Sequence, residues 1–139
     1  MDLLLSEGFR AALHLVGRVM FSMLFIMMGM MHLMKLDDFA GYAKTRGVPA
    51  AKPMTVITGL MILSGGLMLL LGWHRFIGAG LIALFLVPNA FLMHAFWKET
   101  DADAQQNEMA HFVKDLALAG AAALIAFYAA FSWPLSLGG

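Results

Sequence analysis

His94, His111 and Asp115 are the residues whose types and spacing could move protons in this chain. His94 and Trp97 belong to "HAFW", which follows the uncharged run "FIGAGLIALFLVPNAFLM" and precedes the charged "KET". His111 and Asp115 are four residues apart, so on a helix they share a face. A carboxylate placed there fixes the tautomer of the imidazole and favours its charged form. His32, in "FIMMGMMHLM", supplies another imidazole near the end of an apolar run. Imidazole beside carboxylate is the equipment of general acid–base chemistry. Metal chemistry is not expected. The chain has no cysteine and no His-x-x-x-His pair, and its 13 methionines read as apolar filler.

Each of these residues also has a plainer role. Trp97 with Phe96 makes a membrane-interface anchor. Lys35, Lys98 and Lys114 can carry their ammonium groups out of an apolar layer along their own stems. His111 and Asp115 can form a solvated first turn, where a carboxylate suits the helix dipole. Arg18 and His14, four residues apart, can reach for lipid head groups.

The elements that must position these groups follow from composition. The chain has 139 residues, 61% hydrophobic and 13% charged, with mean hydropathy +0.79. A soluble domain this small has too little interior to hide so much apolar surface, so the solvent is a bilayer. The formal net charge of zero gives no reason to expect a nucleic-acid partner. The start, "MDLLLSEGFRAALHLVGR", is acidic and mixed rather than a positive leader, so the first apolar run reads as a retained span.

A spanning helix needs roughly 20 mainly apolar residues. Four stretches qualify, at about 13–34, 53–71, 76–97 and 110–131. The fold class is therefore an all-α membrane protein, a four-helix transmembrane up-down bundle, in one domain over 1–139. "DDFAGYAKTRG" between the first two spans can form an amphipathic helix with Phe39 and Tyr42 on one face. "GWHR" is a tight turn, and "KETDADAQQNE" is a polar loop whose end suits an N-cap and first turn. Gly59, Ser64, Gly65, Gly66, Gly78, Gly80, Ala83, Ala117, Gly120, Ala121 and Ala123 mark where helices should approach. Pro88 leaves the Leu84 carbonyl without its donor. Asn89 lies about 140° around the helix from His94, so the two are expected to serve different neighbours.

Threading the bundle puts His32, His94, Trp97, His111, Lys114 and Asp115 at one end. His94, His111 and Asp115 are expected to meet there across the third and fourth spans, under a roof formed by Trp97, with Asp115 finding its donor in His111, His32 or Lys114. That end also carries Lys35, Lys44, Arg46, Lys52, Lys98 and Lys114, against Arg10, Arg18 and Arg75 at the other. A six-to-three excess of Lys and Arg puts the long loops in the cytoplasm and both termini outside.

Gly17-Arg18, Gly29, "FAGYAKTRGVP", "SGGLMLLLGWHRFIGAGLIALF", "HAFW" and "QQNEMAHFVKDLALAGAAAL" occur in an order and spacing that resembles the DoxX family of small bacterial membrane proteins. The likeness runs from about Gly17 to Phe127. It implies a four-helix inner-membrane protein, linked through its relatives with quinol oxidase, thiosulfate:quinone oxidoreduction and membrane oxidoreductase complexes. The chain departs from the family pattern at four places. His32 stands where relatives usually carry Lys, Ile62 where they carry Glu, Ala95 where they carry Asn, and Asp115 where they carry Asn.

Three functional readings follow. The leading one is a structural, assembly or anchoring subunit that grips another membrane protein through its small-residue faces. The second is a redox-linked subunit holding a quinone near His94, Trp97, His111, Asp115 and His32. Its electrons would come from a partner, since the chain shows no flavin, haem or iron–sulfur motif. The third, transport of a small solute or proton, is weakened by the lack of a clear mid-span acid.

Overall fold

The computed structural model of the chain describes residues 6–138. Five α-helices run in order: α1 (Glu7–Met34), α2 (Leu36–Thr45), α3 (Ala51–Leu71), α4 (Arg75–Met93) and α5 (Ala102–Tyr128). A single 3-10 turn, Phe96–Lys98, lies between the last two. All but α2 are long and apolar enough to cross a membrane. Local chemistry sets their ends. The Ser6 side chain accepts from the Phe9 amide, and the Asp101 carboxylate from the Ala104 amide, so two helix starts are capped. Gly72, at φ 67°, closes α3 in the left-handed conformation that glycine adopts without strain.

The bounds differ from the sequence expectation at α1 and at the third connection. α1 starts at Glu7 rather than near Leu13. α5 starts at Ala102 rather than near 110, because the Asp101 cap makes most of the polar loop a helix N-terminus. Helix α4 stops at Met93, one turn and a residue past Pro88, and His94 leaves the helical register at φ −112°, ψ 41°.

α1 packs on α3, α3 on α4, and α4 on α5; α2 lies across the start of α3. Small residues bring the first two pairs together. A Cβ on Gly29 would stand 2.8 Å from the Gly59 carbonyl oxygen, and one on Gly65 would stand 2.9 Å from that of Gly78. Gly66 faces the backbone of Ser22 and Ile26. Gly80 and Gly120, expected at such contacts, instead face open space, and Ser64, Ala117 and Ala123 are exposed. The core is formed by Phe25, Ile62, Leu69, Ala79, Ile82, Leu86, Ala119 and Ala122. α1 and α5 scarcely meet, so the bundle is unclosed along that side.

Candidate functional site

The early start of α5 puts Glu108, His111 and Asp115 on successive turns of one face. Glu108 and Asp115 are both buried. Glu108 accepts hydrogen bonds from Tyr42 Oη (3.0 Å), from the Arg46 guanidinium and from His94 Nδ1 (2.8 Å). Arg46 also binds Glu99 and the Tyr42 hydroxyl, so α2 is tied to both sides of the third connection. The Glu99 carboxylate, with Tyr42 and Glu108, holds Arg46 above its ordinary range. Burial pushes the Tyr42 phenol up, with Arg46 opposing and Glu108 reinforcing, so it remains a donor at neutral pH.

One turn deeper, Asn89 Nδ2 donates to Asp115 Oδ2 at 2.7 Å. The other ring nitrogen of His94, Nε2, lies 3.8 Å from the same oxygen, close enough for charge attraction but too long for a direct hydrogen bond. His94 therefore stands between two buried carboxylates, bonded to Glu108 and facing Asp115. His111 stacks on His94, with ring centroids 5.0 Å apart, and its Nδ1 accepts from Lys114 Nζ at 3.0 Å.

The geometry assigns partners differently from the sequence reading. Asp115 receives its hydrogen bond from Asn89, not from His111 or His32, while Lys114 Nζ stands 3.7 Å from its other oxygen, an ion pair rather than a hydrogen bond. Asn89 and His94 converge on one carboxylate because His94 is no longer helical, so the 140° separation does not apply to it. His32 is buried and donates to its own helix at Met28 O (2.8 Å), with Phe39 packed on its ring. Trp97 is set apart. It is half-exposed and packs edge-on against Phe112, forming no roof over the histidines. Glu108, Tyr42 and Arg46 escaped the sequence reading as site residues. The available signal was the spacing Glu108-x-x-His111, on the same face as Asp115. Placing the helix start at 110 hid it.

Beside these groups, without Glu108, Arg46 or Trp97 in its lining, lies a cavity of about 230 Å³ between α1, α4 and α5. Asn89, His94, His111, Lys114 and Asp115 form its polar side, and Phe25, Leu86 and Leu118 are among its apolar lining. A second cavity of about 310 Å³, between α3 and α4, shares His32, Phe85 and Asn89 with it. The arrangement can hold a planar polar head group against a proton donor and acceptor, with hydrocarbon on the remaining sides.

The family model described as DoxX matches residues 13–95. The chain is also 27% identical over 117 residues to the inner membrane protein YphA of Escherichia coli (strain K12). That alignment covers 84% of this chain and 83% of the relative. No solved structure matches.

Proposed function

This chain belongs to the DoxX family, and on that footing we propose that it is the anchoring subunit of an inner-membrane redox complex, docking a quinone head group at its His94 end. The inner membrane is the setting named for its YphA relative. One observation carries the proposal: the cavity joins a buried line of Glu108, His94 and Asp115 to apolar walls on the unclosed α1–α5 side. A quinone needs two electrons and two protons to become the quinol. The electrons come from a partner. Asp115 and His94 would stand next to the carbonyl oxygen, and Glu108 with Lys114 would connect them to the surface. The isoprenoid tail would leave between α1 and α5. The Lys and Arg excess supports placing this end in the cytoplasm, with both termini outside.

The test is calorimetric titration of the purified protein, in mild detergent, with a short-chain ubiquinone. Saturable binding is expected, and Leu118→Trp, which fills the cavity, should abolish it while leaving the helical circular-dichroism signal intact. Absence of saturable binding by the unaltered protein overturns the quinone reading. A purely structural subunit is the second reading, favoured by the exposed stripe Ala117, Gly120 and Ala123 on α5, which no helix among the described residues covers. Under that reading, cysteines placed on the stripe cross-link to a non-redox partner, and no quinone copurifies.

A further inference from the structure

The opposite end of the unclosed side holds a larger cavity, of about 730 Å³, between α1 and α5. Four polar residues of α1 line it at four-residue spacing: Arg10, His14, Arg18 and Ser22. Ser22 is fully buried and Arg18 is 8% exposed. Three of them have a buried polar atom with no hydrogen-bond partner among the described residues: His14 Nδ1, Arg18 Nε and Ser22 Oγ. A helical serine ordinarily satisfies its hydroxyl on the carbonyl one turn back, and this one does not. Buried polar groups in this state are rare and ask for an explanation.

The charge is equally unbalanced. Arg18 spends its two terminal nitrogens on the carbonyls of Pro134 (3.0 Å) and Leu135 (2.8 Å). Arg75 donates to Phe131 O at 3.1 Å and lies over the Trp133 ring, which itself lines the cavity. Arg10, one turn before His14, adds a further positive charge to the lining. Among the described residues, none of these arginines has a carboxylate within ion-pair distance. Carbonyl dipoles orient a guanidinium but do not neutralise it, and a charge in an apolar layer without a counter-ion is costly.

We propose that this cavity is a binding site for one anionic phospholipid, its phosphate held by His14 and Arg18 and an ester oxygen by Ser22. The donors span about 12 Å of helix, so the ligand must present acceptors at more than one depth. A free phosphate cannot do so; a glycerophospholipid carries both phosphate and ester oxygens. The rest of the lining, including Phe21, Leu69, Leu124 and Ile125, is apolar and suits an acyl chain. A chain filling one leaflet covers about 15 Å, half of the hydrocarbon core. Measured down α1 from Arg18, that distance ends near Met28, inside the other cavity, whose α1 lining starts at Leu24. The inference is independent of what occupies the His94 end.

The full-length protein in a neutral detergent, stripped of lipid, tests it. Thermal unfolding is followed with added phosphatidylglycerol, with phosphatidylcholine of the same chains, and with inorganic phosphate. Phosphatidylglycerol should raise the melting temperature by several degrees and the other two should not. An equal shift with phosphatidylcholine, or with inorganic phosphate alone, overturns the proposal. Ser22→Ala should leave the lipid-free melting temperature unchanged, since the Ser22 hydroxyl has no hydrogen-bond partner among the described residues. It should weaken phosphatidylglycerol binding about fivefold, the loss of one hydrogen bond. Arg18→Gln should weaken it more, and Ser22→Ala keeps the test valid should Arg18 prove necessary for folding. Unaltered phosphatidylglycerol affinity in both Ser22→Ala and His14→Ala would also overturn it.

Discussion

Glu108→Gln removes one negative charge from a buried oxygen pair that three donors share. Tyr42, Arg46 and His94 all donate to this carboxylate, whose side chain is 9% exposed. Hydrogen bonds to a charged group contribute about 1.5–3 kcal/mol each, and breaking a buried ion pair costs about 3–5 kcal/mol. Two features hold the expected loss to the lower end of that range. Arg46 keeps Glu99 and Tyr42, and its side chain is 20% exposed, so water recovers part of its solvation. The glutamine oxygen still accepts from one donor, while its amide turns two hydrogens toward the others. The expected loss is about 3 kcal/mol. Unfolding in mixed micelles, followed by far-ultraviolet circular dichroism, measures it. Glu99→Gln is the internal control on the same arginine. It leaves Arg46 with its more deeply buried carboxylate and should cost about 1 kcal/mol or less. A Glu108→Gln loss below about 1 kcal/mol, or equal to that of Glu99→Gln, refutes the view that Glu108 fastens α2 to α5.

The Tyr42 phenol should ionise above the ordinary value of about 10. Alkaline absorbance titration of the protein against Tyr42→Phe isolates it, leaving Tyr128 as the common background. Because its folded value is raised, the stabilisation is full below the ordinary phenol value and is lost as pH rises through the folded one, so α2 should loosen at alkaline pH. The glycines divide into two kinds. Gly29→Ala drives a methyl to 2.7 Å from Leu63 Cβ and 2.8 Å from the Gly59 carbonyl and should destabilise by about 1–3 kcal/mol. Gly120→Ala meets nothing within 4 Å and should stabilise α5 by about 0.5–1 kcal/mol, both read from the same unfolding curves.

Apolar run length made the four long helices legible, and the threading that follows put His32, His94, His111 and Asp115 at one end. The partners within that end were not legible, for two physical reasons. The Asp101 cap extends α5 back through Glu108, turning a residue of a polar loop into a buried carboxylate. Hydropathy could not show this, because Gln105, Gln106 and Asn107 around it are polar. The other reason is the end of α4. Pro88 lies one turn before it, and His94 leaves the helix, so it meets Asp115 as expected but shares that carboxylate with Asn89, which helical geometry had set on another face. Tyr42 and Arg46 depended on a third unknown. An amphipathic helix shows which side it buries, but not which part of the bundle it will lie against.

The unclosed side of the bundle has a cause in the distribution of glycine. Where α1 faces α3, Gly29 and Gly59 let the backbones touch; where α3 faces α4, Gly65 and Gly78 do the same. Neither Gly17 on α1 nor Gly120 on α5 is used in this way. The α1 face toward α5 carries Arg18, Phe21, Ser22, Phe25 and Met28, side chains too large or too polar for close backbone approach. Closure there would bury the Arg18 guanidinium against Leu124 and Ile125 with no counter-ion among the described residues, so the helices stand apart. Both cavities lie on this seam, basic at the Arg18 end and carrying the acid–imidazole line at the other. In lipid such a seam is filled by hydrocarbon. The occupants that suit it are long molecules with a polar head at one end, a phospholipid entering from the Arg18 side and an isoprenoid quinone from the His94 side. A single seam reaching both ends also means that one tail limits how deeply the other can enter. If both proposals hold, phosphatidylglycerol and a long-tailed quinone should compete, and a short-tailed quinone should not.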